Sequence, residues 1–269
     1  MPVAECRLDR HRLASLVWDG EEVGGERRAG LAHRATRWTR DTTVDLRGLS
    51  STWQVDAAER KLTGAVRDAL GQLRDGGLVA LYDDERDEGD LIAAARLTTP
   101  AIVNTMVRRA GGLVSVALTP ERAGQLALQT LPVRRSGGRR LCERTPTMVS
   151  VEARRGVSTG ISAADRARTI SILAEPANRA DELVSPGHVF PLLAAAGGLH
   201  ERCGRLEAAV DVMRLAGLEP AAAMCDVLDR EGELANGTEL LAAAEQLQIP
   251  LVAISQIAQT RREEAWSRC

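Results

Sequence analysis

Apolar residues recur at helical spacing in the first regular part of the chain. The first predicted helix has its apolar face at Ala58, Leu62, Val66, Leu70 and Leu73. The Gly76-Gly77 pair marks its end, because glycine readily adopts the left-handed conformation that terminates a helix. The next apolar run, LVALY, predicts a short buried strand that leads directly into the acidic stretch DDERDEGD.

Helix and strand patterns then alternate along the rest of the chain. Thr99-Pro100 and Thr119-Pro120 each predict a helix N-cap followed by proline at the first helical position. Ser162 to Asp165 has capping-box form ahead of the helical run RARTISILAE. Further helices are predicted at LEAAVDVMRLAGL and TELLAAAEQLQ, and strands or extended segments at LVSVAL, TMVSVEA, PGHVFPLL, AAAMCDVLD and PLVAISQI. Such alternation indicates a layered domain of sheet and helices.

Residues 1–53 differ in character from the rest of the chain. They are rich in arginine and glycine, show weak periodicity and carry three of the four tryptophans, Trp18, Trp38 and Trp53. We interpret them as an N-terminal extension that packs on the body or on a partner, and not as a separate catalytic domain. Residues 54–269 contain no repeat or low-complexity linker and are predicted to form one domain.

Composition narrows the classes of function. A net charge of −2 without a concentrated basic face argues against nucleic-acid binding. The sequence has no apolar run of the roughly 18 residues that a membrane span needs, and its N-terminus lacks the apolar segment of a secretory signal. The five cysteines lie far apart without a C-x-x-C pair, and the four histidines lack metal-binding spacing. A cytoplasmic protein without disulfides or structural zinc is therefore expected.

Three segments place polar side chains in turns between apolar elements. Residues 83–90, DDERDEGD, suit either a solvated acidic turn or a metal-binding loop. His188 in SPGHVFP lies where its surroundings can set its pKa for acid or base work, although a structural histidine is also compatible. Residues 201–207, ERCGRLE, open a helix that can hold an anion, and ordinary capping explains this segment equally well.

Together these segments resemble the 3,4-dihydroxy-2-butanone 4-phosphate synthase family of riboflavin biosynthesis, from about Val55 to Arg262. The resemblance rests on DGGLVALYDDE, EGDLIAAARLTTPAIVNTM, GGLVSVALTPER, GVSTGISAADRARTI, SPGHVFPLLAAAGGL and EAAVDVMRLAGLEPAA. It implies a three-layer α+β single domain, and a homodimer with active sites near the subunit interface. Members of the family convert D-ribulose 5-phosphate to 3,4-dihydroxy-2-butanone 4-phosphate and formate with magnesium or manganese.

The sequence departs from the family at both metal-binding positions. The acidic loop is two residues shorter here, so the position of the metal-binding glutamate is taken by Arg86 or falls in the gap, while Glu88, Gly89 and Asp90 match. Arg205 replaces the second metal ligand, a histidine, and a guanidinium has no lone pair to offer a cation. No metal cofactor is therefore expected.

Other positions of the family's site keep suitable residues. His188 matches the catalytic histidine, and Asp226 replaces a catalytic glutamate with a carboxylate one methylene shorter, which matters because small misplacements are costly. Leu206 replaces a threonine that helps to hold the substrate phosphate in the family. The resemblance thus implies a catalytic set of His188, Asp226, Glu88 and Arg205. The implied substrate-binding residues are Asp90, Arg202, Gly204, Thr145 and Arg86.

Three functions are compatible with these substitutions. The first is a repurposed, metal-independent enolisation, dehydration or rearrangement of a polar carbonyl compound, in which Arg205, with Arg86, replaces the cation. The second is the family's own synthase reaction, which would need a new metal site built from Glu88, Asp90 and Asp226. The third is a non-catalytic binding or scaffold homologue that keeps the fold and the dimer surface.

Overall fold

The computed structural model describes residues 64–131 and 147–267, with side chains as far as Arg262. Within this part of the chain seven strands form one mixed sheet in the order β4-β5-β3-β6-β2-β1-β7. The strands are β1 (Val79–Asp83), β2 (Glu88–Ala94), β3 (Ser115–Leu118), β4 (Val151–Ala153), β5 (Leu183–Leu193), β6 (Ala221–Asp226) and β7 (Leu251–Ala253). The predicted extension, residues 1–53, lies outside the described residues, so its boundary stays a prediction.

Helices cover both faces of this sheet. They are α1 (residues 64–74), α2 (Pro100–Thr105), α3 (Pro120–Gln125), α4 (Ala163–Ala174), α5 (Arg205–Leu215), α6 (Gly237–Leu247) and α7 (Ile254–Ser267). A π-helical turn, Met106–Ala110, continues α2. Across the described ranges, every helix is too short or too polar to cross a membrane.

The two faces of the sheet bury separate sets of apolar side chains. On one face, strand residues such as Leu91 share a core with Met106, Ile170 and Leu240, which come from the α2–π-helical segment, α4 and α6. On the other face a second core joins α1, α5 and α7 to the strands. Alternate residues of a strand pack into the two different cores, because successive side chains point to opposite faces of a sheet. The predicted three-layer α+β fold is confirmed.

Local sequence signals mark the starts of three helices as predicted. The hydroxyl of Thr99 accepts a hydrogen bond from the backbone N–H of Ile102, and the hydroxyl of Thr119 accepts one from that of Arg122. Ser162 caps α4 in the same way. These caps satisfy backbone donors that have no partner inside the helix, which is why short polar residues at these positions mark helix starts.

Two elements differ from the sequence-based expectations. PLVAISQI was expected to be a single strand, but β7 ends at Ala253 and α7 begins at Ile254. Ile254 and Ile257 are both buried three residues apart, and such a pair suits a helix face as well as a strand interior. The second is β2, which was not predicted as a strand. The run EGDLIAA pairs with β1 and β6, and a strand that is buried on both faces lacks the alternation of apolar and polar residues that indicates a strand.

Candidate active site

Much of the acidic stretch builds the hairpin turn between β1 and β2. The carboxylate of Asp83 accepts hydrogen bonds from two backbone N–H groups of the turn and from the guanidinium of Arg86 at 2.7 Å. Asp87, with a φ of 59°, accepts from the Tyr82 hydroxyl at 2.8 Å and from the backbone N–H of Gly237 at 2.9 Å. Arg86 is thus paired within the turn, and its expected role in substrate binding stays a prediction.

The remaining carboxylates at this edge of the sheet meet around one arginine. Asp90 of β2 lies directly opposite Asp226 of β6 in the strand register, and Glu88 lies two residues before Asp90 on the same face of β2. Arg205, the first residue of α5, places Nη1 2.9 Å from Asp90 and 2.9 Å from Asp226, and Nη2 3.4 Å from Glu88. The structure therefore brings together four predicted site residues, which form the Arg205 cluster: Glu88, Asp90, Arg205 and Asp226.

The four groups of the Arg205 cluster differ in their access to solvent. The Asp90 side chain is 4% exposed, whereas that of Asp226 is 36% exposed at the end of its strand. Burial raises the pKa of Asp90 from 3.8 to about 7, with Arg205 lowering it and the neighbouring Asp226 raising it. Burial lowers the pKa of Arg205, but the three carboxylates outweigh that effect and hold it above its usual value. The cluster therefore combines a permanent cation with a buried carboxyl whose pKa is raised toward neutrality.

Replacing Asp90 with asparagine is expected to flatten the pH dependence of stability. Because the folded pKa of about 7 lies above the ordinary 3.8, the folded protein holds a proton that the unfolded chain releases between these pH values. The free energy of unfolding of the unsubstituted protein should then fall between about pH 4 and pH 7, by at most about 4 kcal/mol more than that of Asp90→Asn. Urea unfolding of both proteins at pH 4 and pH 8 measures this difference, and parallel pH profiles would contradict it.

A divalent cation does not fit the cluster as these side chains stand. The guanidinium of Arg205 lies in hydrogen-bonding contact with oxygens of Asp90 and Asp226 and pairs with Glu88, the three carboxylates that a new metal site would need. A cation held by the same oxygens would lie beside a fixed positive charge in a partly buried setting, where repulsion is strong. Among the described residues, no group of three or more histidine, cysteine, aspartate and glutamate side chains is arranged as a metal site.

The thiol next to Asp226 in sequence does not add a nucleophile to the site. Cys225 is fully buried and belongs to the core on the other face of the sheet. Burial raises the pKa of its thiol to about 12, and the carboxylates of Asp226 and Asp90 raise it further. The thiol therefore stays protonated at neutral pH, and the thiolate is the form that attacks.

The segment ahead of α5 is held by a buried carboxylate. Glu207 is 1% exposed, and its carboxylate accepts from the guanidinium of Arg202 and from the backbone N–H of Ala195 at 2.7 Å. Gly204 is the N-cap residue of α5, and Leu206 is buried in the core and offers no group to a phosphate. Arg202 and Gly204 thus support the position of Arg205, and their expected contacts with substrate stay predictions.

His188 lies on the same edge of the sheet as the Arg205 cluster but two strands away. It lies two residues before Phe190 of β5, and Asp226 lies two residues after Met224 of β6. Phe190 and Met224 both pair with Ser115 of β3, the strand between them, so His188 and Asp226 lie at the same level of the sheet. The ring hydrogen-bonds Glu152 of β4, with 2.9 Å between Nδ1 and Oε2. Glu152 was not singled out from the sequence, where it is one polar position of a strand; its only signal is a charge within the apolar run VSVEA. Thr145 lies outside the described residues.

Comparison with known proteins places this chain in a family. The model of the 3,4-dihydroxy-2-butanone 4-phosphate synthase family matches residues 67–260. The synthase of that name from Cupriavidus pinatubonensis is 39% identical over 210 residues, which cover 77% of this chain and 92% of that protein. The riboflavin biosynthesis protein RibBA of Synechocystis is 41% identical over 197 residues, and the match covers 72% of this chain and 35% of that longer protein.

Solved structures agree with these sequence relatives. A two-domain synthase from A. baumannii, RibBX, superposes with a TM-score of 0.68 at 36% identity, covering 73% of this chain and 57% of that one. A 3,4-dihydroxy-2-butanone 4-phosphate synthase in complex with two magnesium ions superposes with a TM-score of 0.67 at 33% identity, covering 74% of this chain and 97% of that one. The chain belongs to the 3,4-dihydroxy-2-butanone 4-phosphate synthase family, which is a family of enzymes.

Proposed function

We propose that the chain is a lyase- or isomerase-type enzyme that enolises, dehydrates or rearranges a polar carbonyl compound without a divalent metal ion. One observation carries this proposal: the guanidinium of Arg205 forms ion pairs with Glu88, Asp90 and Asp226, the carboxylates that would have to hold a cation. A fixed guanidinium is a preorganised positive charge, and one such donor contributes roughly 3–4 kcal/mol to transition-state stabilisation.

The difference in solvent exposure between the two aspartates supports different roles for them in the proposed reaction. Asp226, the more exposed aspartate, is placed to take a proton from the carbon next to the substrate carbonyl. The electron pair of the broken C–H bond moves toward the carbonyl oxygen, and the positive charge of Arg205 stabilises the negative charge that develops there. Asp90, with its pKa near 7, can accept or return a proton in a later step.

The family's own reaction is the second candidate: conversion of D-ribulose 5-phosphate to 3,4-dihydroxy-2-butanone 4-phosphate and formate in riboflavin biosynthesis. The relatives favour this candidate over the first, since two of the compared proteins carry that synthase name at 33–39% identity, over at least nine-tenths of their own length. The cluster opposes it, because the reaction in this family uses magnesium or manganese and Arg205 stands among the carboxylates available here. A homodimer is proposed for either candidate and is testable by light scattering.

A formate assay distinguishes the two candidates. The purified protein is incubated with D-ribulose 5-phosphate in excess magnesium or in EDTA, beside an authentic synthase from Cupriavidus pinatubonensis as positive control. The first proposal predicts that magnesium brings no rise in formate, whereas the second predicts formate that EDTA removes. Magnesium-dependent formate at a rate near that of the control would therefore overturn the metal-independent proposal.

Negative formate results lead to a second measurement. Protein in D₂O is screened by NMR for hydrogen exchange next to the carbonyl of a panel of ketoses and keto acids, because enolisation exchanges that hydrogen before any later step. We expect exchange that persists in EDTA and disappears in Asp226→Asn. Exchange absent from the entire panel, together with no formate, would contradict the proposed enolisation of these compounds and support a non-catalytic homologue.

A further inference from the structure

A carboxylate outside the Arg205 cluster is bonded to the one histidine that the sequence assigned to catalysis. Glu152 lies on the edge strand β4 and His188 on the neighbouring β5, and 2.9 Å separate the carboxylate Oε2 from the ring Nδ1. The two side chains are unequally exposed, at 13% for Glu152 and 42% for His188. The carboxylate is therefore the less exposed member of the pair, and the ring faces solvent.

An irregularity in the pairing of β4 with β5 creates this contact. Val151 pairs with Val189, but the next residue, Glu152, pairs with Val184, so four residues of β5 fall between the two registers. His188 is the last of these four. Gly187 before it donates its N–H to the Ser150 hydroxyl at 3.2 Å and approaches the backbone of Val151 so closely that a Cβ would collide with it. The bulged segment is thus anchored beside His188.

The carboxylate of Glu152 is confined as well. Gly160 lies against it with a φ of +86°, and a Cβ at this position would overlap the carboxylate oxygens. The positive φ disfavours any other residue at this position, and a Cβ there would force the Glu152 carboxylate to move. The Glu152 carboxylate therefore lies in close contact with Gly160 as well as with His188.

The partner of Nδ1 determines which ring nitrogen is free. An ionised carboxylate only accepts hydrogen bonds, so the neutral ring that bonds to it carries its proton on Nδ1. The lone pair then lies on Nε2, on the far side of the ring from Glu152. Because the ring is substantially exposed, Nε2 can reach a molecule bound at this edge of the sheet.

We propose that Glu152 is a positioning residue that holds His188 in the Nδ1–H tautomer, so that Nε2 is the atom that exchanges protons with the substrate. The catalytic part of this inference rests on the proposed function, whereas the tautomer is a property of the folded protein without substrate. The two parts therefore fail separately: the tautomer is testable even if no substrate is found.

The tautomer is tested by long-range ¹H–¹⁵N correlation spectra of the full chain with ¹⁵N-labelled histidine, recorded at a pH where the imidazole is neutral. The His188 signals are assigned from the spectrum of His188→Gln. We expect a protonated Nδ1 and an unprotonated Nε2 in the unsubstituted protein. In Glu152→Ala the Nε2–H form, which an unconstrained histidine favours, should predominate. Glu152→Gln keeps an acceptor oxygen and should keep the Nδ1–H form.

A carboxylate elsewhere on the surface provides the control. Glu175 pairs with Arg96 at 3.0 Å on a different part of the molecule, so Glu175→Ala should leave the His188 signals unchanged. With a substrate in hand, Glu152→Ala should lower kcat about ten- to a hundredfold with little change in KM, and Glu152→Gln should lower it less. Predominance of the Nε2–H form in the unsubstituted protein would overturn the proposal, even if Glu152→Ala does not fold. An unchanged tautomer in a folded Glu152→Ala would overturn it too.

Discussion

Arg205→Ala is expected to abolish most turnover and to turn the cluster into a binding site for a divalent cation. Removing the guanidinium takes away the charge proposed to stabilise the enolate, which should lower kcat by about a hundred- to a thousandfold. It also leaves the carboxylates of Glu88, Asp90 and Asp226 without the positive charge that pairs with all three. Three carboxylates with hard oxygen donors suit magnesium or manganese.

Calorimetric titration with manganese measures this gain of binding. The unsubstituted protein should give no heat of binding at manganese concentrations that saturate Arg205→Ala. Arg205→Lys is the matched control, because lysine keeps a positive charge near the carboxylates while losing the paired donors of the guanidinium. It should bind little manganese yet turn over slowly. Equal manganese binding by the unsubstituted protein and Arg205→Ala would show that Arg205 does not exclude the cation.

Glu207→Ala is expected to cost about 3–5 kcal/mol of stability, because it leaves Arg202 without its carboxylate partner in a partly buried site. The carboxylate of Glu207 also accepts the backbone N–H of Ala195, so its loss loosens the segment that leads into α5 and Arg205. Glu207→Gln keeps the side-chain shape and one acceptor oxygen. Its free energy of unfolding should therefore lie between those of the unsubstituted protein and Glu207→Ala. Urea unfolding at pH 7 measures all three free energies of unfolding.

A neighbouring glutamate provides the comparison. Glu201 is exposed and accepts one backbone hydrogen bond, from Gly197 at 2.8 Å, so Glu201→Ala should cost no more than about 1 kcal/mol. The contrast separates a buried, ion-paired carboxylate from an exposed one, since both residues are glutamates that bind backbone N–H groups of the same connecting segment. Equal losses of stability in Glu201→Ala and Glu207→Ala would contradict the assigned role of the buried carboxylate.

Much of the secondary structure was predictable because its signals are local. The caps at Thr99, Thr119 and Ser162 involve backbone groups only three residues away, so the residue types alone indicate where each helix begins. The end of β7 was not predictable in this way. The isoleucines of PLVAISQI suit a buried strand or the buried face of a helix, and packing against the sheet decides between these.

In the acidic stretch, too, the sequence predicted some features and the tertiary structure decided others. Its composition indicated either a solvated turn or a metal loop, and its carboxylates in fact do different work. Asp83 and Asp87 hold the hairpin turn through hydrogen bonds, whereas Glu88 and Asp90 belong to the Arg205 cluster. The sequence predicted that Arg205 replaces a metal-binding histidine. It did not show that the guanidinium bonds to the very carboxylates from which a replacement metal site would be built.

The sequence by itself determined the family, the three-layer fold and the substitution at Arg205, because motif order, apolar periodicity and residue identity can all be read along the chain. Only the tertiary structure decided the partners of the charged groups. Arg205 meets Asp90 across 115 positions of sequence, and Glu152 meets His188 across 36. These pairs depend on strand register and on a bulge between β4 and β5, and a shift of one residue would point the side chains to opposite faces of the sheet.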